Sequence, residues 1–189
     1  ILIKDAATLE GIAGVQVVVM DKTGTLTEGK PRLTDVISTG EWTEDELLAL
    51  AASVEKNSEH PLSRAIVEGA GSRGVALRPV AAFTAIAGHG VQARVDDHAV
   101  ILGNVKLMAD EAIQLGDLES QSATLAEQGR TPMFVAIDGK LAGVVAVADA
   151  IKPTARTAVR QLQQLGIEVV MITGDNRRTA DAVAHELDI

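Results

Sequence analysis

The 189 residues contain no cysteine and no tyrosine, and one tryptophan with two phenylalanines brings the aromatic share to 2%. Without cysteine there can be no disulfide and no thiolate metal site, so any metal ligand must be oxygen or histidine, and a reducing compartment is permitted. With so few rings, a tryptophan or tyrosine clamp around a flat ligand is not expected, and a histidine must take that part. Positive charge is also short: 17 Lys and Arg stand against 26 Asp and Glu, for a net charge of -9. Such a surface repels nucleic acid and anionic membrane, so neither is an expected partner and any bound phosphate must be held locally. Long apolar runs are missing too. Val15 to Met20 and Leu141 to Ala148 fall far below the roughly 18 residues that cross a bilayer, and the chain is expected to be soluble. It opens at Ile1 with neither methionine nor a secretory leader and stops at Ile189 behind a helical pattern, so both ends read as cut from something longer.

What is present suffices for folded cores, since 47% of the residues are hydrophobic. Val15-Gln-Val-Val-Val-Met reads as a strand buried on both faces, with Asp21 at its carboxyl end. Ile167-Glu-Val-Val-Met-Ile-Thr has the same character, follows a helical stretch from Pro153 to Leu165, and ends at Gly174-Asp175. Helix then strand is the pattern of a βαβ unit, whose ligand site lies at the carboxyl ends of its strands, where the two aspartates can meet. The texture between them differs. Helices are expected near Thr43 to Ser53 and Pro61 to Gly69, then short alternating segments, including a hairpin over Met133 to Val145 turning at Asp138-Gly139. The expected architecture is therefore α/β: a Rossmann-like parallel-sheet unit from residues 1–30 and 147–189, incomplete, carrying an inserted α+β unit over 31–146 built on an antiparallel sheet. Glu28-Gly-Lys-Pro and the stretch from Ala146 to Asp149 are the expected hinges.

In Asp21-Lys-Thr-Gly-Thr-Leu-Thr the turn after the strand gathers a carboxylate, hydroxyls and free backbone amides, which suits a phosphate. An aspartate there can attack a phosphoryl group and form an acyl phosphate if a divalent cation offsets the repulsion of two anions, and magnesium suits oxygen ligands. For a lone aspartate, an ordinary Asp-Gly-type turn would be the better reading. The whole run resembles the phosphorylation motif of P-type ATPases, membrane pumps whose cytoplasmic part belongs to the haloacid dehalogenase superfamily. Related phosphatases place a second, acid/base aspartate two positions after the nucleophile. Thr23 stands there instead, which argues against a soluble phosphatase with a cap domain and for a slowly hydrolysed intermediate.

Other strings carry the resemblance further. Thr173-Gly174-Asp175-Asn176 matches the second phosphate-site motif, and Asp149-Ala-Ile-Lys152-Pro resembles the hinge string, although a surface Asp-Lys pair opening a helix fits it as well. Ser58-Glu59-His60-Pro61-Leu62 is similar to the Ser-Glu-His-Pro-Leu string of heavy-metal pumps. By that resemblance His60 lies against the adenine of ATP and Glu55 accepts a hydrogen bond from its amino group, unless Glu55 is simply a solvated helix charge. Gly88-His-Gly90, 28 residues after His60, and Gly103-Asn104 resemble the loops that complete the nucleotide pocket.

The resemblance thus implies an ATP-dependent, metal-translocating enzyme acting through an aspartyl phosphate. It implies Asp21, Lys22, Thr23, Thr173, Gly174 and Asp175 as catalytic residues and Glu55, His60, Gly88, Gly90, Gly103 and Asn104 as the ATP site. Asp21 and Thr23 are the implied magnesium ligands. The implied partners are ATP, the actuator and membrane domains of the full-length protein, and a heavy-metal ion held by that membrane domain, with this chain on the cytoplasmic side. Leu-Gly-Asn-x-x-Leu-Met and Asp-x-Ile-Lys-Pro look more like copper(I) pumps than zinc ones, with zinc, cadmium and silver left open. A later Gly-Asp-Gly-x-Asn-Asp string and the lysine upstream of it, which the family uses, do not occur here, so the chain on its own is expected to bind ATP without completing the reaction.

Overall fold

Thr43 accepts a hydrogen bond from Glu46 N while the Glu46 carboxylate reaches back to Thr43 N, a capping box that starts α2 (Glu44–Glu55). Apolar residues of this helix, including Leu47, Leu48, Leu50 and Val54, are buried. The computed structural model describes residues 2–175 and 177–189. In chain order the remaining elements are α1 (Ala6–Ile12), β1 (Val17–Asp21), β2 (Arg32–Ser38), α3 (Ser63–Ser72), β3 (Val80–Ile86), β4 (Gly90–Val95), β5 (His98–Gly103), α4 (Val105–Asp110), α5 (Leu118–Glu127), β6 (Thr131–Ile137), β7 (Lys140–Ala148), α6 (Ala155–Gln164), β8 (Glu168–Ile172) and α7 (Arg177–Leu187).

Six strands form one antiparallel sheet in the order β2-β7-β6-β5-β4-β3. Its interior strands β6 and β7 send alternate side chains to opposite faces, and both faces are buried. Met133, Val135, Val145 and Val147 join α2 and α3 in one core, whereas Phe134, Ala136, Val144 and Ala146 join α4 and α5 in another. The expected hairpin is present. Asp138 and Gly139 form its two-residue turn, both at positive φ, between the paired residues Ile137 and Lys140. β7 runs two residues beyond the expected boundary at 146, because Val147 and Ala148 still pair with Leu33 and Arg32. Of the expected hinge stretch from Ala146 to Asp149, the first three residues belong to β7, and the chain leaves the sheet at Asp149.

The turn at Asp138 also carries a side-chain contact with His98. His98 Nδ1 lies 2.6 Å from Asp138 Oδ2, and Ala99 N donates to Asp138 Oδ1 at 2.9 Å. The bond with His98, and then that from Ala99, hold the Asp138 carboxyl below its ordinary value. A lowered folded-state pKa adds stability that is present above the unfolded value and lost as the pH falls through the folded one. Asp138→Asn is expected to lower stability near neutral pH by less than about 1 kcal/mol, because both side chains are partly solvated. The deficit should close in acid, which urea midpoints measured across that pH range will show.

The second sheet consists of β1 and β8 in parallel, with Asp21 beside Ile172. Leu26, Val159, Val169, Val183 and Leu187 form its core with α6 and α7 on one face. The expectation of a β1 strand buried on both faces does not hold: Val17 and Val19 are 46% and 57% exposed. Alternating side chains point to opposite faces, and among the described residues the helices that bury this sheet lie on one face only. The two halves meet where Thr179 Oγ1 on α7 donates to Arg130 O at 2.9 Å, at the end of α5.

Candidate active and nucleotide site

At the carboxyl end of β1 the backbone leaves the extended conformation. Asp21 is still extended, Thr23 has φ -76° and ψ 120°, and Gly24 reaches φ +78°. Asp21, Thr23, Gly24 and Thr25 are exposed, and the Asp21 carboxylate takes no hydrogen bond from the described residues. Lys22 turns inward instead, with its side chain 9% exposed, and its ammonium is bonded to Asp175 Oδ2. That contact joins the Asp21 turn to the Thr173-Gly174-Asp175 turn after β8, as the two-strand reading anticipated. Asp175 N donates to Thr173 Oγ1 at 3.1 Å, and Asn176 of the same string lies outside the described residues.

The hinge string does more here than a surface pair would. Asp149 accepts from Thr27 Oγ1 at 2.5 Å, Gly29 N at 3.1 Å and Lys30 N at 3.0 Å, so one carboxylate ties the end of the Asp21 run to the first linker. Lys152 Nζ donates to Gly24 O at 2.6 Å, placing a cation on the loop that carries Asp21. Sequence reasoning undervalued both residues. Thr27 is fully buried, and its hydroxyl finds in Asp149 the polar partner that burial demands, a contact that no local sequence signal announces.

The expected ATP residues form two further groups. Glu55 ends α2 and is only 4% exposed, so it is not a solvated helix charge; Ser63 Oγ donates to its Oε2. A carboxylate there faces the negative end of the helix and needs such a donor. His60 is exposed, and its Nδ1 accepts from Leu62 N at 3.3 Å, which leaves the proton on Nε2. α3 begins at Ser63 rather than at Pro61, because His60 O first accepts Ser63 N in a turn.

In the second group Asn104 caps α4. Its Oδ1 accepts from Leu107 N and its Nδ2 donates to Gly88 O, both at 3.0 Å. Gly90 and Gly103 are paired across β4 and β5, and a Cβ on Gly90 would lie 2.2 Å from Leu102 O. These two glycines are therefore demanded by strand contact, whereas Gly88, at φ +72°, faces open space. Among the described residues no hydrogen bond links the Asp21, Glu55 and Gly88 groups directly.

The donors near Asp21 suit magnesium. No cluster of three metal-ligating side chains occurs among the described residues, and magnesium typically takes one or two carboxylates plus substrate phosphate rather than a protein cage. Asp21 and Thr23 offer hard oxygen, and a bound ion would offset charge between the carboxylate and an incoming phosphate.

The chain as a whole resembles known proteins. The haloacid dehalogenase-like hydrolase family matches residues 15–189. The chain belongs to that family. Within the haloacid dehalogenase-like hydrolases it resembles P-type ATPases. The copper-transporting P-type ATPase of Rhizobium leguminosarum bv. viciae is 51% identical over 189 residues, covering 100% of this chain and 22% of that protein. The copper-exporting P-type ATPase of Bacillus subtilis (strain 168) is 46% identical, covering 100% and 24%. Among solved structures, a zinc-transporting PIB-type ATPase in the E2.Pi state superposes with a TM-score of 0.75 at 36% identity, over 100% of this chain and 30% of that one. The catalytic domain of the CPx-ATPase CopB-B gives 0.68 at 26% identity, over 100% and 65%. This chain thus spans about a quarter of the length of the curated relatives.

Proposed function

We propose that this chain is the ATP-binding and phosphoryl-accepting part of a heavy-metal pump that works through an aspartyl phosphate, with copper(I) as its cargo. One observation carries the mechanism. Asp21 is exposed and its carboxylate takes no hydrogen bond from the described residues at the end of β1, while Lys22, Asp175 and Lys152 secure the turns around it. In the proposed step an Asp21 oxygen attacks the γ-phosphorus, the bond to the β–γ bridging oxygen breaks, and ADP leaves. Asp21 and Thr23 would hold a magnesium ion that would supply charge neutralisation at the phosphate, and the rest is positioning by this chain. Residues 31–146 would hold ATP through Glu55, His60, Gly88, Gly90, Gly103 and Asn104, with the linkers at Gly29-Lys30 and Asp149 as hinges that let it approach Asp21. Copper rests on what the relatives in Rhizobium and Bacillus are named for. Actuator and membrane domains elsewhere in the full-length protein, and a cytoplasmic position for this chain, belong to the same proposal; its support is that this chain spans only 22% and 24% of those two relatives.

The reading stands on whether γ-labelled ATP leaves its phosphoryl group on Asp21. The pocket has its own test in calorimetric titration with ATP. His60→Ala is expected to weaken binding about tenfold, the value of one ordinary polar contact, roughly 1.4 kcal/mol. His60 is exposed, so the melting temperature should hold. Unchanged affinity in the folded variant would remove His60 from the site.

A further inference from the structure

We infer that Ser63 is a positioning residue that turns Glu55 into a selector for a purine carrying a 6-amino group. The inference rests on the proposed ATP site and concerns how that site chooses its base. Ser63 and Glu55 lie eight residues apart, at the start of α3 and the end of α2, and each is 4% exposed. The hydroxyl of Ser63 donates to Glu55 Oε2. The other carboxylate oxygen, Oε1, accepts nothing from the described residues, and the only fully enclosed side-chain oxygen or nitrogen without a partner among them is Asp35 Oδ2. Oε1 is therefore unbonded among the described residues and not fully enclosed.

The terminal torsion of a glutamate is broad, so a carboxylate needs an external contact to fix its plane. Among the described residues Ser63 supplies the hydrogen bond that does so. With one oxygen anchored, the other faces the ligand as a pure acceptor. An amino group at the purine 6-position can donate to it. A 6-oxo group would set lone pairs against a buried carboxylate, which is costly to leave unmatched. The selection thus depends on Ser63 as well as on Glu55.

The test is calorimetric titration of this chain with ATP and with inosine triphosphate, the 6-oxo analogue. The unsubstituted chain is expected to prefer ATP. Ser63→Ala should weaken ATP about three- to tenfold while leaving inosine triphosphate within about twofold, so that the preference shrinks. A merely structural serine would weaken both alike. Glu55→Gln keeps the shape of the side chain and supplies a second test. Ser63 should hold the amide oxygen, turn the amide NH₂ toward the ligand, and reverse the preference toward inosine triphosphate. An unaltered ATP preference in either folded variant overturns the inference, as does equal affinity of the unsubstituted chain for the two nucleotides. Failure of that chain to bind either nucleotide overturns the ATP site itself.

Discussion

Incubated with γ-labelled ATP, a full-length pump carrying Asp21→Asn is expected to hold no acid-stable label, whereas the unsubstituted pump holds label that hydroxylamine removes. The amide is nearly isosteric with the carboxylate but is not a competent nucleophile, so the covalent step is lost rather than slowed by repositioning. The structure makes this a clean comparison. Asp21 is exposed and takes no hydrogen bond from the described residues, so its replacement should shift stability by no more than about 0.5 kcal/mol. Equal melting temperatures with complete loss of label would place the phosphoryl group on this residue. Label of normal amount and lability in Asp21→Asn would refute the assignment, and with it the role given to Lys22 and Asp175.

Much of this was legible from residue order. The turn residues Asp138 and Gly139, the helix start at Thr43 and the β-branched run before Asp21 are local signals, and each element formed where they pointed. The meeting of the Asp21 turn with Asp175 was also readable, because strands that end in carboxylates and belong to one parallel sheet present them at one edge. Less legible were contacts that depend on how distant segments return. Nothing local says that Asp149 reaches back over 119 to 122 residues to Thr27, Gly29 and Lys30, or that Ser63 meets Glu55. Burial of β1 was misread for a related reason. An apolar run reports that a strand can be buried, and the number of covering faces is decided by neighbours elsewhere in the fold.

The same distinction separates two glycines that look equivalent in Gly88-His-Gly90. Gly90→Ala is expected to destabilise the antiparallel sheet by on the order of 3 kcal/mol or more, through overpacking joined to backbone strain. Its added Cβ would come within 2.2 Å of Leu102 O and 2.6 Å of Gly103 Cα, both backbone atoms of the paired strand β5, with φ at +151°. Relief would require opening the β4–β5 ladder, because a carbonyl in a ladder cannot rotate aside as a side chain can. Gly88→Ala meets no atom within 4 Å and should cost only about 1 to 2 kcal/mol for its left-handed φ of +72°. Denaturant unfolding of the two variants, paired with ATP titration of the folded protein, tells a structural glycine from a ligand-facing one. If Gly90→Ala unfolds like the unsubstituted chain yet no longer binds ATP, Gly90 serves the nucleotide directly and the strand-contact explanation fails. If it unfolds early while Gly88→Ala stays folded and binds ATP more weakly, approach to the phosphates belongs to Gly88 and the fit between strands to Gly90.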